Sequence, residues 1–182
     1  MDGRGKIVAA LTGALSLGPA EAEDGMRHLS PDWRYVADKV MGGVSRGRSE
    51  CVEIDGREAV RLTGQVSLEN DGGFVQIATD LAPDATPLDA SDWTGLELDL
   101  YGNGEVYEAR LKTSDLTRPW QSYRLAFAAP TAWTTIRVPF GDLEAYRTDA
   151  PLDLTQLRRL GLVAVGREFE ADLAVAALRL YR

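Results

Sequence analysis

The chain has little of the side-chain chemistry that most enzymes use, with one cysteine and one histidine among 182 residues. The single cysteine, Cys51, excludes an internal disulfide. The single histidine, His28, precedes the first predicted strand, so the body of the chain cannot build a serine–histidine or cysteine–histidine nucleophile pair. It cannot build a histidine–cysteine zinc site either. We therefore predict a protein that is not an enzyme, with no catalytic residues, no metal and no cofactor.

The chain also lacks an excess of basic residues, since 28 acidic and 20 basic residues give a net charge of −8. A surface that binds nucleic acid must neutralise phosphates, so nucleic acid is not an expected partner. Arg158, Arg159 and Arg167 could form a local basic patch. Solvated loop and edge positions are the simpler explanation of these three arginines.

No apolar run is long enough to span a membrane, which takes about 20 residues. The run at residues 7–17 follows Arg4 and Lys6 and precedes the small-residue stretch 20–22. This is the layout of a signal peptide, although Asp2 weakens its charged start. We interpret residues 1–31 as an extension with a signal to about residue 22, which favours a periplasmic or exported protein over a cytoplasmic one. An incorrectly assigned start is the alternative.

After Asp32 the apolar residues recur every second position, which is typical of strands that bury one face. Turn residues such as Asp55-Gly56 separate these segments at intervals of 8–12 residues. The pattern predicts an all-β fold, a jelly-roll β-sandwich that forms one domain over residues 32–182. The predicted strands are 51–54, 59–62, 65–68, 74–78, 96–100, 106–111, 122–127, 133–138, 161–165 and 171–181, and residues 154–160 are expected to form one helical turn.

Glycine-rich and acidic segments exclude some sites and leave others open. Gly102-x-Gly104 lies between two predicted strands and reads as a hairpin turn, and Met41-Gly-Gly lacks the lysine of a phosphate-binding loop. The acidic loop at residues 80–92 has oxygen ligands for calcium but not the spacing of an EF-hand, so a solvated loop is favoured. A catalytic carboxylate pair facing each other across a pocket remains a distant third interpretation.

Four segments occur in a recognisable order: residues 33–45 with VMGGVS, 64–74 with GQVSLENDGGF, 104–107 with 120–127, and 133–140 ending in Pro139-Phe140. This order resembles the complex I intermediate-associated protein family, the NADH:ubiquinone oxidoreductase assembly factors. The resemblance implies a galactose-binding-domain-like jelly roll with a role in assembly of respiratory complex I and no known catalysis. Asp71 and Thr148 depart from the family pattern without affecting the fold.

The stretch at residues 38–47 has two compatible interpretations. It can form a tight turn packed against residues 70–73, with Met41 in the core, or a rigid rim that presents Asp38, Ser45, Glu69 and Asn70 to a partner. The expected partner is a protein, such as a subunit or assembly intermediate of a respiratory complex. The predicted partner- or ligand-binding residues are Asp38, Met41, Gly42, Gly43, Ser45, Glu69, Asn70, Gly72, Gly73, Trp120 and Tyr123.

The aromatic residues favour an alternative function, a carbohydrate-binding jelly roll in the periplasm that stacks sugars on exposed rings. Trp133 and Phe140 flank an alternating strand and are expected in the core. Trp120 follows Arg118-Pro119 in a predicted loop and is the best candidate for an exposed ring. By strand parity, Tyr107 and Arg110 lie on opposite faces of their strand.

Overall fold

The computed structural model describes residues 25–182, and the predicted export signal lies outside the described residues. Twelve strands account for most of this part, and short 3₁₀ turns join some of them. The strands are β1 (Met26–His28), β2 (Arg34–Ala37), β3 (Arg46–Ile54), β4 (Arg57–Val66), β5 (Phe74–Asp80), β6 (Gly95–Gly102), β7 (Val106–Thr113), β8 (Ser122–Ala128), β9 (Thr134–Pro139), β10 (Glu144–Tyr146), β11 (Leu157–Val165) and β12 (Phe169–Tyr181).

The strands form two six-stranded antiparallel sheets, which confirms the predicted all-β jelly-roll sandwich. The first sheet has the order β3-β4-β12-β6-β9, and β1 also pairs with β12. The second sheet has the order β10-β8-β7-β11-β5-β2. Apart from the consecutive pairs β3–β4 and β7–β8, neighbours in both sheets are not consecutive in sequence. The longest strand, β12, lies between β4 and β6 in the first sheet.

The core lies between the sheets and is built by the period-two pattern. On β7, Tyr107, Ala109 and Leu111 are buried, while Arg110 projects from the opposite face. This arrangement agrees with the predicted parity of Tyr107 and Arg110. Each fully buried leucine contributes about 1.5–3 kcal/mol relative to an exposed one. Core leucines come from both sheets: Leu62, Leu96, Leu98, Leu100, Leu111, Leu160, Leu162 and Leu173.

Most predicted strands are present, with differences at the edges. The helical turn expected at residues 154–160 is present but shorter: a 3₁₀ turn covers Leu154–Gln156, and β11 begins at Leu157. Strands β1, β2 and β10 have three or four residues each, too few to show an alternating pattern. His28 lies in β1, opposite Arg179 of β12, rather than before the first strand. No helix within the described residues is long and apolar enough to cross a membrane.

Candidate functional site

The glycine-rich stretch forms a compact turn that reverses the chain before β3. Residues Asp38–Met41 make one 3₁₀ turn, and Gly42 ends it in the left-handed conformation, with φ 92°. The amides of Gly42 and Gly43 donate to the carbonyls of Lys39 and Asp38, at 3.2 and 3.1 Å. This reversal returns the chain so that Ser45 can reach the Asp38 side chain.

The Asp38 carboxylate is fully buried and accepts four hydrogen bonds from two separate loops. Oδ1 accepts from the Ser45 amide at 3.1 Å. Oδ2 accepts from the Ser45 hydroxyl at 2.5 Å and from the amides of Gly73 at 2.7 Å and Phe74 at 3.4 Å. The Ser45 hydroxyl oxygen in turn accepts from the Ser67 amide at 3.0 Å. We call Asp38, Ser45, Ser67 and Gly73 the Asp38 cluster; it joins residues 38–45 to residues 67–74.

Two glycines around the Asp38 cluster are required for space. A Cβ atom on Gly43 would lie 2.3 Å from the Asp38 Cγ, and one on Gly72 would lie 2.5 Å from Asp38 Oδ2. Real Cβ atoms essentially never come so close to another heavy atom. Gly42 differs, because a Cβ there would meet nothing within 4 Å and only its positive φ favours glycine. Gly42 is therefore favoured by its backbone conformation, whereas Gly43 and Gly72 are required because no side chain fits beside Asp38.

The electrostatics of the cluster favour a charged Asp38. Burial by itself raises the pKa of Asp38, but the hydrogen bonds from the Ser45 hydroxyl and from the amides of Gly73, Phe74 and Ser45 outweigh burial and lower it. The same charge, added to burial, raises the pKa of the neighbouring Tyr35. Asp38 is therefore held ionised as an acceptor, with its oxygens already occupied by donors.

This lowered pKa predicts an acid-sensitive contribution to stability. The unfolded chain binds a proton at the ordinary aspartate pKa of about 3.9, before the folded protein does. The contribution of Asp38 is thus fully present above that pH and is lost as the pH falls through the folded pKa. We expect the stability difference between wild type and Asp38→Asn to shrink on acidification from about pH 7 to about pH 2. Urea unfolding at each pH measures it, and a difference that stays constant across the range would contradict the prediction.

The structure divides the predicted binding residues into buried and exposed groups. Asp38 and Ser45 were expected on a rim facing a partner, but both are fully buried and hold the loops together instead. Met41, placed in the core by one interpretation, is 65% exposed. Gly43 and Gly73 are buried and Gly72 is half-buried, while Gly42, Glu69 and Asn70 are exposed.

The two predicted aromatic residues have opposite surroundings. Trp120 is 50% exposed at the tip of the loop between β7 and β8, as expected. The carbonyl oxygen of Pro119 in this loop accepts a hydrogen bond from the Lys112 amino group of β7. Tyr123 is buried, and its hydroxyl donates to the carbonyls of Ala150 and Pro151 at 3.0 Å. Tyr123 therefore anchors the loop after β10 and is not part of a binding surface.

Sequence reasoning missed two exposed apolar side chains in the same loops. Val40 is 77% exposed and Leu68 is 48% exposed. Both lie in the loops that the Asp38 cluster joins, Val40 within residues 38–45 and Leu68 within residues 67–74. We define Val40, Met41 and Leu68 as the apolar rim. The sequence did contain a signal for them: apolar residues inside glycine-rich polar loops are difficult to bury in a core, so they are candidates for exposure.

Two clefts lie elsewhere on the molecule. One of about 540 Å³ is lined by Trp33, Val52 and Val60 among others, and one of about 590 Å³ includes His28 and Arg159. Neither contains a predicted binding residue. In the acidic loop, Asp80 pairs with Arg159 and Asp89 accepts from Ser91. The described residues contain no group of three or more histidine, cysteine or acidic side chains that could hold a metal ion.

Comparison with known proteins gives one family and one fold. Residues 24–175 match the family described as complex I intermediate-associated protein 30. A search of curated proteins finds no match. A family 11 carbohydrate-binding module from Clostridium thermocellum, in complex with a β-1,3-1,4-mixed-linked tetrasaccharide, is similar in structure with a TM-score of 0.68. The identity is 15%, over 88% of this chain and 97% of that chain.

Two further structures share the fold. A family 30 carbohydrate-binding module of a cellulosomal cellulase of Clostridium thermocellum has a TM-score of 0.61 at 15% identity, over 84% of this chain and 93% of that chain. An exo-β-agarase has a TM-score of 0.54 at 13% identity, over 84% of this chain but only 24% of the agarase chain. At these identities the likeness concerns the fold alone, a jelly roll of the galactose-binding-domain-like kind.

Proposed function

Because the chain belongs to the complex I intermediate-associated protein 30 family, we propose that it is a non-enzymatic module that binds a subunit or assembly intermediate of respiratory complex I. The binding surface is the apolar rim together with the exposed polar residues beside it, Glu69 and Asn70. The observation that carries the proposal is the exposure of apolar side chains on two loops that a buried carboxylate joins.

The apolar rim has the properties of a protein-binding surface. Its members are three of the five large apolar side chains that are exposed in the described residues. Such residues grouped on one surface mark interaction sites, whereas single ones are normal. Met41 is flexible and polarisable, which suits an irregular partner surface. A partner would bury these side chains at the centre of the contact, where most binding energy arises.

The Asp38 cluster makes this surface rigid. Residues 38–45 and 67–74 are held by hydrogen bonds to one buried carboxylate and by glycines with no spare space. A surface already in its bound conformation loses little conformational entropy on association. The acid itself has no free oxygen with which to act as a general base. The role that we assign to Asp38 is thus positional, and the apolar rim makes the contact.

The test is affinity capture with variants of the exposed residues. We expect Met41→Asp combined with Leu68→Asp to reduce capture of complex I subunits by at least about tenfold, since two charges would be buried unpaired in the contact. The tagged protein captures partners from membrane and soluble fractions, and mass spectrometry identifies them. Trp120→Asp is the matched control, because it replaces an equally exposed apolar side chain on a different loop.

A stability measurement shows whether the rim variant loses capture through the binding surface or through unfolding. The thermal midpoint of the double variant should stay close to that of the wild type, because both replaced side chains are exposed. Loss of capture in Trp120→Asp but not in the rim variant would contradict the placement of the site. Recovery of no complex I subunit with the wild-type protein would contradict the function.

A second candidate function is carbohydrate binding, which the half-exposed Trp120 favours. Exposed rings on jelly-roll modules can stack on the flat faces of sugars. The structures with the same fold include carbohydrate-binding modules, although fold alone does not assign function. Its test is the binding of soluble oligosaccharides, lost in Trp120→Ala and kept in the apolar-rim variant.

A further inference from the structure

The outer face of the second sheet is basic, although the chain as a whole is acidic. Tyr107, Ala109 and Leu111 of β7 face the core, so Arg110 and Lys112 project from the other side. Pairing across the sheet places Arg124 of β8 opposite Arg110 and Arg159 of β11 opposite Lys112. Strands β5, β7, β8, β10 and β11 contribute five basic residues to this face and its edge, Arg110, Lys112, Arg124, Arg158 and Arg159, against three acidic ones, Asp80, Glu108 and Glu144.

A β-bulge increases the positive charge at one end of this face. The register between β11 and β7 shifts between Leu157 and Arg159, so Arg158 is an extra residue opposite Lys112. Arg158 and Arg159 are both exposed as a result. Bulges occur next to functional sites because they re-aim side chains. Here the bulge directs two consecutive arginines to the neighbourhood of Lys112.

Lys112 and Arg158 are the two cations of the group that have no carboxylate partner among the described residues, and Lys112 is the more buried of the two. Burial lowers its pKa, and the charges of Arg159, Arg110 and Arg158 lower it further. Its amino group donates to the Pro119 carbonyl, a neutral acceptor. Among the described residues no carboxylate lies within ion-pair distance of it. A negatively charged ligand at this position would relieve the mutual repulsion of four cations.

Aromatic rings border the same face. Tyr146 of β10 has the guanidinium carbons of Arg124 and Arg110 at 4.2 and 5.0 Å from its ring centroid. Both arginines share one carboxylate, Glu108, at 3.2 and 2.7 Å. Trp120 lies on the loop that Lys112 holds through Pro119. The face therefore combines ordered cations with a half-exposed indole ring on the loop that Lys112 contacts.

A buried hydroxyl at the same position is unsatisfied. The Ser122 side chain is 1% exposed, and its oxygen has no hydrogen-bond partner among the described residues. Pairing places Ser122 opposite Tyr146, and Leu111 opposite Tyr123 sets it next to Lys112 on the adjacent strand. An unpaired buried hydroxyl is rare in folded proteins and calls for a partner. This observation is independent of the charges and lies between Tyr146 and Lys112.

We propose that this face binds an acidic oligosaccharide, a chain of uronate residues, with its carboxylates at Lys112 and the arginines and a sugar ring against Trp120. The inference rests on the second candidate function and adds the class of sugar and the site. The cations are spread over three strands about 4.8 Å apart, which suits a polymer with repeated charges better than a single phosphate. The indole ring adds a flat apolar surface that a simple anion would not use.

Isothermal titration calorimetry with a hexamer of galacturonate tests the proposal, with a neutral hexamer of glucose and inorganic phosphate as comparison ligands. We expect the galacturonate hexamer to bind, and Trp120→Ala and Lys112→Ala each to weaken it about tenfold, the value of one strong contact. Added salt should weaken binding as well, because exposed charges are screened. Arg158→Ser provides a second charge variant whose side chain is exposed, and Lys39→Ala on the distant loop is the matched control.

Each other outcome overturns the proposal in a distinct way. Equal binding of the neutral hexamer would overturn the acidic specificity and leave carbohydrate binding intact. Absence of binding to either hexamer would overturn both the site and the second candidate function. Inorganic phosphate that binds as tightly as the galacturonate hexamer would indicate a simple anion site. Unchanged affinity in the folded Trp120→Ala and Arg158→Ser variants would place the sugar elsewhere.

Discussion

Replacing Asp38 by alanine is expected to lower the free energy of unfolding by about 3–5 kcal/mol. The change removes the acceptor of four hydrogen bonds and leaves the amides of Gly73 and Ser45 buried without partners. A buried unpaired donor costs its full desolvation energy, which exceeds the net value of the bond that was lost. Urea unfolding followed by fluorescence measures the effect.

Two controls identify the origin of this loss. Glu69→Ala removes an exposed acid from the neighbouring loop at a position without positive φ, and should change stability by less than about 0.5 kcal/mol. Asp38→Asn keeps the size of the side chain but replaces one accepting oxygen by a donor that faces other donors, so it should also destabilise strongly. If Asp38→Ala were as stable as Glu69→Ala, the cluster would not hold the loops. Partner capture should fail in Asp38→Ala because the apolar rim is displaced, whereas the rim variant should fail while still stable.

Replacing Gly43 by alanine is the second large effect, with an expected loss of about 1–3 kcal/mol from overpacking. The new methyl group would overlap the Asp38 carboxyl, which cannot retreat because four donors surround it. Thermal unfolding of the variant measures the loss. Amide hydrogen exchange at Gly73 and Ser45 should also accelerate, because the carboxylate can no longer accept from both loops.

The glycines of the chain offer a graded comparison for this prediction. Gly42→Ala has open space but a φ of 92°, so it should cost only about 1 kcal/mol. Gly141→Ala has neither constraint and should be nearly neutral. The expected order of stability is therefore Gly141→Ala, then Gly42→Ala, then Gly43→Ala. An equal loss at Gly42 and Gly43 would show that backbone conformation, and not contact with Asp38, decides the effect.

The fold was predictable because its signal is local. An alternating pattern such as Leu96-Glu-Leu-Asp-Leu100 reports one buried face, and the structure buries these leucines. The strand predicted at residues 171–181 is confirmed by β12. Very short strands carry too few residues for such a pattern, and this explains why β1, β2 and β10 were missed.

The roles within the candidate site were less predictable, because they depend on contacts between distant segments. Asp38 and Ser45 look like surface residues in a polar loop until the Gly73 amide, 35 residues later, closes over the carboxylate. Met41 looks like a core residue until the turn directs it outward. The basic face depends on register and on one bulge, and neither can be read from Arg158-Arg159 in sequence. A pattern thus located the loops, while tertiary contacts decided which side chains they expose.

The two proposed surfaces use different parts of one scaffold. The apolar rim lies on loops joined by the Asp38 cluster, whereas the basic face lies on the strands of the second sheet. Family membership supports the first, and the second stands on charge and ring placement in this chain. Because jelly rolls host many functions, the reciprocal variants Met41→Asp with Leu68→Asp and Trp120→Ala separate the two experimentally.

The position of β12 has a consequence for synthesis of the chain on the ribosome. This strand is the last of the twelve along the described residues, yet it pairs with both β4 and β6 at the centre of the first sheet. Those two strands emerge more than 60 residues earlier. Until β12 is available, the backbone N–H and C=O groups on the edges that pair with it have no partner. Exposed strand edges invite pairing with other chains, and long-range pairing is slow. The nascent chain therefore completes its first sheet only after β12 leaves the exit tunnel, and until then it presents an interrupted sheet to chaperones.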